Sequence, residues 1–212
     1  MSPLSLIELQ ATLSNGRSEK LPIDSGSTVV DLSNKSIVAI DLSVLDSVEG
    51  LEELDLSGNE FMLIDLSVLA FCPSIRKLKL DHNNMRILDL NPISYCPNLE
   101  VLDLSFNQIL RIELNPLSNC KSLTSFNLME NRLMVLDLKP ISRCSRLEEL
   151  NLLGNPIKRL DLTPLFMCAS LFSLILPEGA RLTSRERQKI EILNPPALND
   201  LIDANRIEFV SE

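Results

Sequence analysis

Residues 51–83 read LEELDLSGNEFMLIDLSVLAFCPSIRKLKLDHN, and the order of apolar and polar side chains in this stretch repeats at a fixed spacing. Two leucines that flank one residue are followed by an asparagine, and the arrangement begins again 24 residues later. The matching sets are Leu51, Leu54, Leu56 and Asn59; Ile75, Leu78, Leu80 and Asn83; Leu99, Leu102, Leu104 and Asn107; Leu123, Phe126, Leu128 and Asn131; and Leu147, Leu150, Leu152 and Asn155. A fixed period of this length is typical of a solenoid of stacked repeats.

Residues 27–176 resemble the leucine-rich repeat family, with the pattern L-x-x-L-x-L-x-x-N-x-Φ-x-x-Φ-D-L-x-P-L-x-x-C-x-x, where Φ is apolar. The resemblance implies an α/β fold: a curved, right-handed solenoid with a concave parallel sheet of about seven strands and short helical turns on the convex side. The D-L-x-P-L-x-x-C variant looks closer to intracellular repeats of microbial type than to extracellular repeats with cysteine-rich flanks. The pattern does not identify a partner, because function depends on sites carried by the fold.

We divide the chain into an N-terminal helical cap at 1–26, about six repeats at 27–176 and a C-terminal cap at 177–212. Ser2 and Pro3 are suited to start the first helix, and Asn15-Gly16 to end it. In the C-terminal cap, Thr183 or Ser184 is expected to begin a helix over 185–193. A second helix at 197–204 and an apolar strip at 207–210 complete that cap.

Each repeat alternates with period two around its leucine pair, which predicts a short strand with outward-facing side chains between the leucines. The asparagine that follows is expected to be buried and to bond backbone groups that would otherwise lack partners. A capping residue and a proline, such as Asn91 and Pro92, predict one helical turn in the second half of most repeats.

An acidic residue precedes each of these turns. The column contains Asp41, Asp65, Asp89, Glu113, Asp137 and Asp161. We expect these carboxylates to accept backbone hydrogen bonds or to face solvent. A ladder of calcium ions is the alternative, although calcium takes six to eight oxygens and one carboxylate per repeat supplies too few.

The five cysteines are spaced by one repeat, at Cys72, Cys96, Cys120, Cys144 and Cys168, and Val48 holds the same position in the first repeat. A valine in this column indicates an interior position, so we expect small buried side chains with free thiols. Disulfides require converging Cβ atoms, and zinc sites require spacings such as C-x-x-C, which are absent. Free thiols favour a reducing, cytoplasmic location.

The net charge of −9 opposes nucleic-acid binding, for which a basic face is typical. The sequence has no apolar run long enough to span a membrane, and its first residues are a poor signal peptide. No nucleotide-binding loop, nucleophile elbow or metal-binding spacing is present. We therefore expect no cofactor and no enzymatic activity; the remote alternative is a hydrolase that uses Asp81, His82 and Asp103.

The predicted concave face is polar and acidic in its N-terminal half and apolar in its C-terminal half. Exposed apolar side chains within a polar rim often mark an interaction site. We expect this face to bind another protein, and the candidate residues are Lys79, Asp81, His82, Asp103, Phe106, Asn127, Met129, Asn151, Leu153, Phe172 and Ile175. Of these, Phe106, Met129 and Leu153 are predicted to anchor the partner, while Lys79, His82, Asp103 and Asn127 set its register.

A second apolar strip follows the asparagine column, at Val38, Met62, Leu63, Ile87, Leu110, Met134 and Val135. These side chains either fold inward as a short back strand or form a rival interface. The chain is expected to be a monomeric adaptor, scaffold or regulatory subunit, and the family resemblance suggests GTPases, phosphatases and ubiquitin-ligase components as partners. The alternative is a self-associating structural module.

Overall fold

A computed structural model describes residues 6–185 and 194–210. In each repeat the leucine pair forms a three-residue strand, the asparagine turns the chain, and a descending segment leads to a 3₁₀ helix. The middle residue of each strand is paired with its counterpart one repeat along, as Leu54 is with Leu78 and Leu78 with Leu102. The predicted repeat solenoid, with its parallel sheet and short helical turns, is therefore confirmed.

The sheet has seven strands in sequence order. They are β3 (Val29–Asp31), β5 (Glu53–Asp55), β6 (Lys77–Lys79), β7 (Val101–Asp103), β8 (Ser125–Asn127), β9 (Glu149–Asn151) and β11 (Ser173–Ile175). The leucines that flank the outward residue of each strand point to the opposite side, where most are completely buried. These apolar columns form one core along the whole solenoid.

In the described part of the chain, six 3₁₀ helices lie on the other side of this core: η1 (Ser43–Ser47), η2 (Ser67–Phe71), η3 (Asn91–Tyr95), η4 (Asn115–Asn119), η5 (Lys139–Arg143) and η6 (Thr163–Met167). The predicted capping role of the residue before each proline is wrong. Asn91 and Thr163 are already inside the helix, and the N-cap position is a leucine that makes no side-chain cap bond.

The aspartates of the acidic column instead accept a hydrogen bond from the first backbone amide of the helix. Asp89 Oδ1 accepts the Asn91 amide at 2.9 Å, and Asp161 Oδ1 accepts the Thr163 amide at 2.9 Å. The same bond joins Asp41 to Ser43, Asp65 to Ser67 and Asp137 to Lys139. The expected backbone bonding is thus confirmed for the five aspartates of the column. Hydrogen bonds from Ser43 lower the pKa of Asp41, because they favour its ionised form.

The N-terminal cap is a β-hairpin, so the predicted helix is wrong. β1 (Leu6–Leu13) and β2 (Ser18–Asp24) are antiparallel, and Asn15-Gly16 forms the turn between them. Buried Leu9 and Ala11 alternate with exposed Glu8 and Gln10, which is a strand pattern rather than a helical one. β1 also pairs with β4 (Ile37–Asp41) in the first descending segment, and it supplies partners for backbone groups at the open end of the solenoid. Ser2 and Pro3 lie outside the described residues.

The C-terminal cap closes the other end with a parallel sheet of β10 (Arg159–Asp161), β12 (Arg181–Ser184) and β13 (Ile207–Phe209). Helix α1 (Pro196–Asp203) confirms the second predicted helix within one residue, and β13 occupies the predicted apolar strip. Thr183 and Ser184 lie in β12 rather than at a helix start. The helix predicted over 185–193 lies outside the described residues except for Arg185. No helix in the described part of the chain could cross a membrane.

A ladder of buried asparagines fastens each strand to the preceding repeat. Asn107 accepts the Met85 amide at 3.1 Å and donates to the carbonyls of Leu80, at 2.9 Å, and Leu104, at 3.2 Å. Equivalent bonds are made by Asn59, Asn83, Asn131 and Asn155. The predicted structural role of this column is confirmed.

The five thiols form a parallel ladder in the core. Cys144 Sγ donates to the Leu117 carbonyl at 3.3 Å, and Cys96 Sγ donates to that of Leu69 at 3.5 Å. All five cysteines are free and buried, as expected. Burial disfavours the thiolate and raises the pKa of Cys96, Cys120 and Cys168 to about 12.

We predict that Asn107→Ala lowers the free energy of unfolding by about 2–4 kcal/mol, because it leaves several buried backbone groups without partners. Urea denaturation followed by circular dichroism measures this change. Asn98→Ala is the matched control, since exposed Asn98 makes one bond to the Pro73 carbonyl. Equal losses in the two variants would contradict the proposed role of the ladder.

We also predict that the protein loses stability as the pH rises from about 8.5 towards about 12. Unfolded thiols ionise near their ordinary pKa, while the folded ones resist ionisation, so high pH favours the unfolded chain. Other groups titrate in this range, and Cys120→Val isolates the thiol contribution. Val48 shows that valine fits this column. Urea titrations at several pH values should give Cys120→Val a shallower loss of stability; an unchanged slope would contradict the prediction.

Candidate functional site

The sheet face is the outward surface of the seven-stranded sheet together with the residue before each strand and the turn that follows it. Acidic residues dominate it. They are Asp31, Glu52, Glu53, Asp55, Asp81, Glu100, Asp103, Glu130, Glu148, Glu149 and Glu178, against the basic Lys35, Arg76, Lys77 and Lys79. Most of the chain's net charge of −9 therefore lies on this surface.

Three of the four basic side chains of the sheet face are already paired within the protein. Lys79 Nζ lies 2.8 Å from Glu53 Oε1 and 3.0 Å from Asp55 Oδ2, and Lys77 lies 3.5 Å from Glu53. Hydrogen bonds to Glu53 and then to Asp55 raise the pKa of Lys79, and it stays charged. Arg76 pairs with Glu100 at 2.6 Å. The predicted contact residue Lys79 therefore neutralises its own neighbours, and the acidic residues beyond this cluster remain in excess.

Asp103, Asn127 and Asn151 lie side by side, because β7, β8 and β9 pair in register. One oxygen of each accepts the backbone amide two residues further on, at 2.9 Å for Asp103 and 3.1 Å for the two asparagines. Asn127 Nδ2 also donates to Asp103 Oδ2 at 3.2 Å. These bonds hold the three side chains in place, and Ile175 continues the row on β11.

The turn after each of the first six strands of the sheet requires a backbone conformation with positive φ. The residues at this position are Asn34, Gly58, His82, Phe106, Glu130 and Gly154, with φ between 50° and 72°. Glycine and asparagine adopt this conformation at little cost, whereas other L-residues are strained by about 1–2 kcal/mol. Three consecutive repeats nevertheless carry His82, Phe106 and Glu130. Their side chains are therefore present despite a backbone that favours glycine.

His82 and Phe106 form an aromatic pair at the edge of the sheet face. Their rings stack with centroids 4.3 Å apart and an angle of 19° between the planes. His82 Nδ1 lies 2.8 Å from Asp81 Oδ2, which orients the imidazole. Phe106 remains 40% exposed. The pair presents a flat apolar surface bordered by carboxylates.

Apolar side chains continue from this pair towards the C-terminal end. Phe172 is 56% exposed and Ile175 is 43% exposed, as predicted. Met129 and Leu153, two residues after their strands, are only half-buried rather than fully exposed. Of the predicted anchors and their apolar neighbours, Phe106, Phe172 and Ile175 are exposed, while Met129 and Leu153 are half-buried.

The residues of the hydrolase alternative are only partly brought together. Asp81 contacts the Nδ1 edge of His82, and Phe106 covers one face of the imidazole. Asp103 accepts bonds from the Ser105 amide and hydroxyl, at 2.9 and 2.6 Å, and from Asn127. No group of three or more metal-binding side chains occurs among the described residues. Through these contacts Asp103 holds the turn and the neighbouring strand in place, and His82 forms part of an aromatic surface with Phe106.

The second apolar strip does not fold inward as a back strand through the middle repeats. Its residues Met62, Leu63, Ile87, Leu110, Met134 and Val135 are exposed, and Val38 at the N-terminal end is half-buried. Further exposed apolar side chains on the helical side, which the sequence analysis missed, are Phe71, Tyr95 and Met167. The signal was available, since each precedes the cysteine of its repeat at a position otherwise occupied by polar residues.

The leucine-rich repeat family model matches residues 28–85 and 97–157, which together make up more than half of the chain. This protein belongs to the leucine-rich repeat family. No curated protein matches its sequence.

Solved structures of bacterial leucine-rich repeat proteins are similar to this chain. Internalin C2 from Listeria monocytogenes is 27% identical, with a TM-score of 0.53, and the match covers 70% of each chain. A leucine-rich repeat protein from Leptospira interrogans is 21% identical, with a TM-score of 0.54; the match covers 72% of this chain and 43% of that protein. The likeness to the Leptospira protein concerns the fold alone.

We predict that Glu130→Gly raises the free energy of unfolding by up to about 1 kcal/mol, because glycine relieves the strain at φ 53°. Glu148→Gly is the matched control: it removes the same charge from an exposed site without positive φ, and it should destabilise the protein. Urea denaturation of both variants measures the difference. A loss of stability in Glu130→Gly as large as that in Glu148→Gly would contradict the strain assigned to this turn.

Proposed function

We propose that this protein is a non-enzymatic interaction module whose partner, another protein, docks on the sheet face. Membership of the leucine-rich repeat family supports a protein-binding role in general. The observation that carries the specific proposal is the aromatic pair His82–Phe106. Two rings are held at a positive-φ turn where glycine would be less strained, and Phe106 faces solvent. Strained residues at exposed positions are characteristic of functional sites.

The anchors extend from Phe106 across Met129 and Leu153 to Phe172 and Ile175. Large exposed side chains of this kind supply most of the free energy of an interface when a partner excludes water from them. Asp103, Asn127 and Asn151 lie beside the anchors in fixed orientations and set the register of the partner.

The partner carries a basic surface around the apolar residues that meet these anchors. The sheet face has many more carboxylates than cations, and three of its four cations are already paired. Complementary charge increases the association rate and discriminates against acidic proteins and nucleic acids. An adaptor, scaffold or regulatory subunit of a GTPase, phosphatase or ubiquitin ligase fits this chemistry, and the free thiols support a reducing, cytoplasmic setting.

We predict that replacing Phe106 by Asn and Phe172 by Ser weakens partner binding at least about tenfold, because two exposed anchors are lost. Asparagine is chosen at position 106 because it tolerates positive φ. Affinity capture from native cell extract, compared by quantitative mass spectrometry at low and moderate salt, measures the retained proteins.

Phe71→Ser is the matched control, since Phe71 is also exposed but lies on the helical side in η2. A partner retained by wild type and Phe71→Ser, lost by the double variant and weakened by salt, is the expected result. Equal retention by all three proteins would contradict the assignment of the site to the sheet face.

A further inference from the structure

The exposed apolar strip on the descending segments is independent of the sheet face. Here the middle strip means Met62, Leu63, Ile87, Leu110, Met134 and Val135, which belong to repeats two to five. Their side chains are between 48% and 70% exposed, and Met62, Leu63, Met134 and Val135 each exceed 60%. The anchors of the sheet face are less exposed than these four residues. Contiguous apolar patches of this kind on a soluble protein mark an interaction surface.

The residues of the middle strip lie in rows, because equivalent positions stack from repeat to repeat. Met62 and Met134 occupy one row, in the second and fifth repeats. Leu63 and Val135 occupy the adjacent row in the same two repeats. On the other side of the methionine row lies a row that begins with Glu60 in the second repeat and reaches Arg132 in the fifth.

Opposite charges therefore lie at the two ends of one row. Glu60 and Arg132 are both exposed, and no ion pair among the described residues involves either of them. Between them lie Asn84 and Gln108, which are joined by a hydrogen bond of 3.4 Å. The row is acidic at one end, neutral in the middle and basic at the other end.

We propose that the middle strip is a homodimer interface in which two copies pack with their solenoids antiparallel. The two-fold axis lies across the strip, between the third and fourth repeats. This operation places repeat two of one copy against repeat five of the other and keeps each row opposite itself. Met62 then meets Met134, and Leu63 meets Val135. Glu60 meets Arg132, and symmetry makes each of these contacts twice.

The strip selects a second copy because it is complementary to itself. An interface between identical chains must match its own surface after a two-fold rotation, and a row with opposite charges at its ends satisfies this condition. At the centre, Arg86 lies opposite Leu110 and Arg111 lies opposite Ile87. The aliphatic stems of these arginines cover the apolar side chains while the guanidinium groups reach solvent.

The dimer leaves the sheet face open on both copies, so it is compatible with the proposed partner binding and does not depend on it. The sequence alone favoured a monomer. The exposed pairs Met62–Leu63 in repeat two and Met134–Val135 in repeat five, which the structure does not fold inward, support self-association instead.

The first test replaces apolar contacts. Met134→Glu should convert the dimer to a monomer across the micromolar range in analytical ultracentrifugation, because each dimer would bury two unpaired carboxylates. Phe71→Glu introduces the same charge at an exposed site on the helical side and should leave the dimer intact. A wild-type protein that is monomeric at every concentration up to the millimolar range overturns the proposal.

The second test exchanges charges and identifies the antiparallel geometry. Glu60→Arg alone and Arg132→Glu alone should each weaken the dimer by about tenfold or more, because each places like charges together at two sites. The double variant E60R/R132E restores opposite charges and should recover most of the affinity. Arg146→Glu, at an exposed loop outside the strip, serves as the control for net charge.

Circular dichroism establishes that each variant is folded, and every variant changes only exposed side chains. Recovery in the double variant, with Arg146→Glu unchanged, supports the antiparallel dimer. A double variant weaker than either single variant overturns it, because the two charges would then not meet. Retention of the sheet-face partner by the monomeric Met134→Glu variant distinguishes a failure of the dimer from a failure of the proposed function.

Discussion

The bond between a buried asparagine amide and the backbone of the preceding repeat is the interaction on which this structure depends. A strand only three residues long makes few ladder bonds of its own, and the turn that follows would leave amides and carbonyls unpaired in an apolar interior. Asn107 forms hydrogen bonds with three of these groups, and the equivalent asparagines do the same in the other repeats. A leucine at this position would preserve the core's apolar character but leave the backbone unsatisfied.

Because the asparagine turns the chain inward, the residue just before it must adopt positive φ. The residue at this position therefore affects both the stability of the turn and the side chain that the sheet face presents. Gly58 and Gly154 meet it without strain, whereas His82, Phe106 and Glu130 do not. The exceptions are consecutive and lie at the centre of the sheet face. A solenoid selected for stability alone would carry glycine or asparagine there in every repeat, so the aromatic pair is best explained by what it contacts.

The repeated part of the fold could be predicted from sequence because the constraints recur. Each core position recurs in every repeat, so a wrong strand register would place polar residues in the core of every repeat. This recurrence identifies Leu54 and Cys96 as core residues. The caps occur once and carry no such redundancy. The apolar residues of 6–13 are compatible with a helix as well as a strand, and the strand is stabilised by pairing with β2 and with the edge of β4. The capping residue was misassigned for a related reason: Asp89 and Asn91 are both good caps, and the choice depends on which one precedes the first helical φ and ψ values.

The residues of the candidate site could be predicted from the sequence, but their ion pairs and their exposure could not. Alternation in the strands places Lys79 and Asp103 on the outer face. Whether either charge is paired across the strands depends on the strand register and on the side-chain rotamers. Exposure of the descending strip was equally undecidable, since an apolar residue after the turn faces inward or outward according to the path of the backbone. That path exposes Met62 and Met134 while it buries Phe61 and Leu133 beside them. The backbone thus leaves two different surfaces on one solenoid: an acidic face with aromatic anchors, which requires an unlike partner, and an apolar strip of mixed charge, which can match itself.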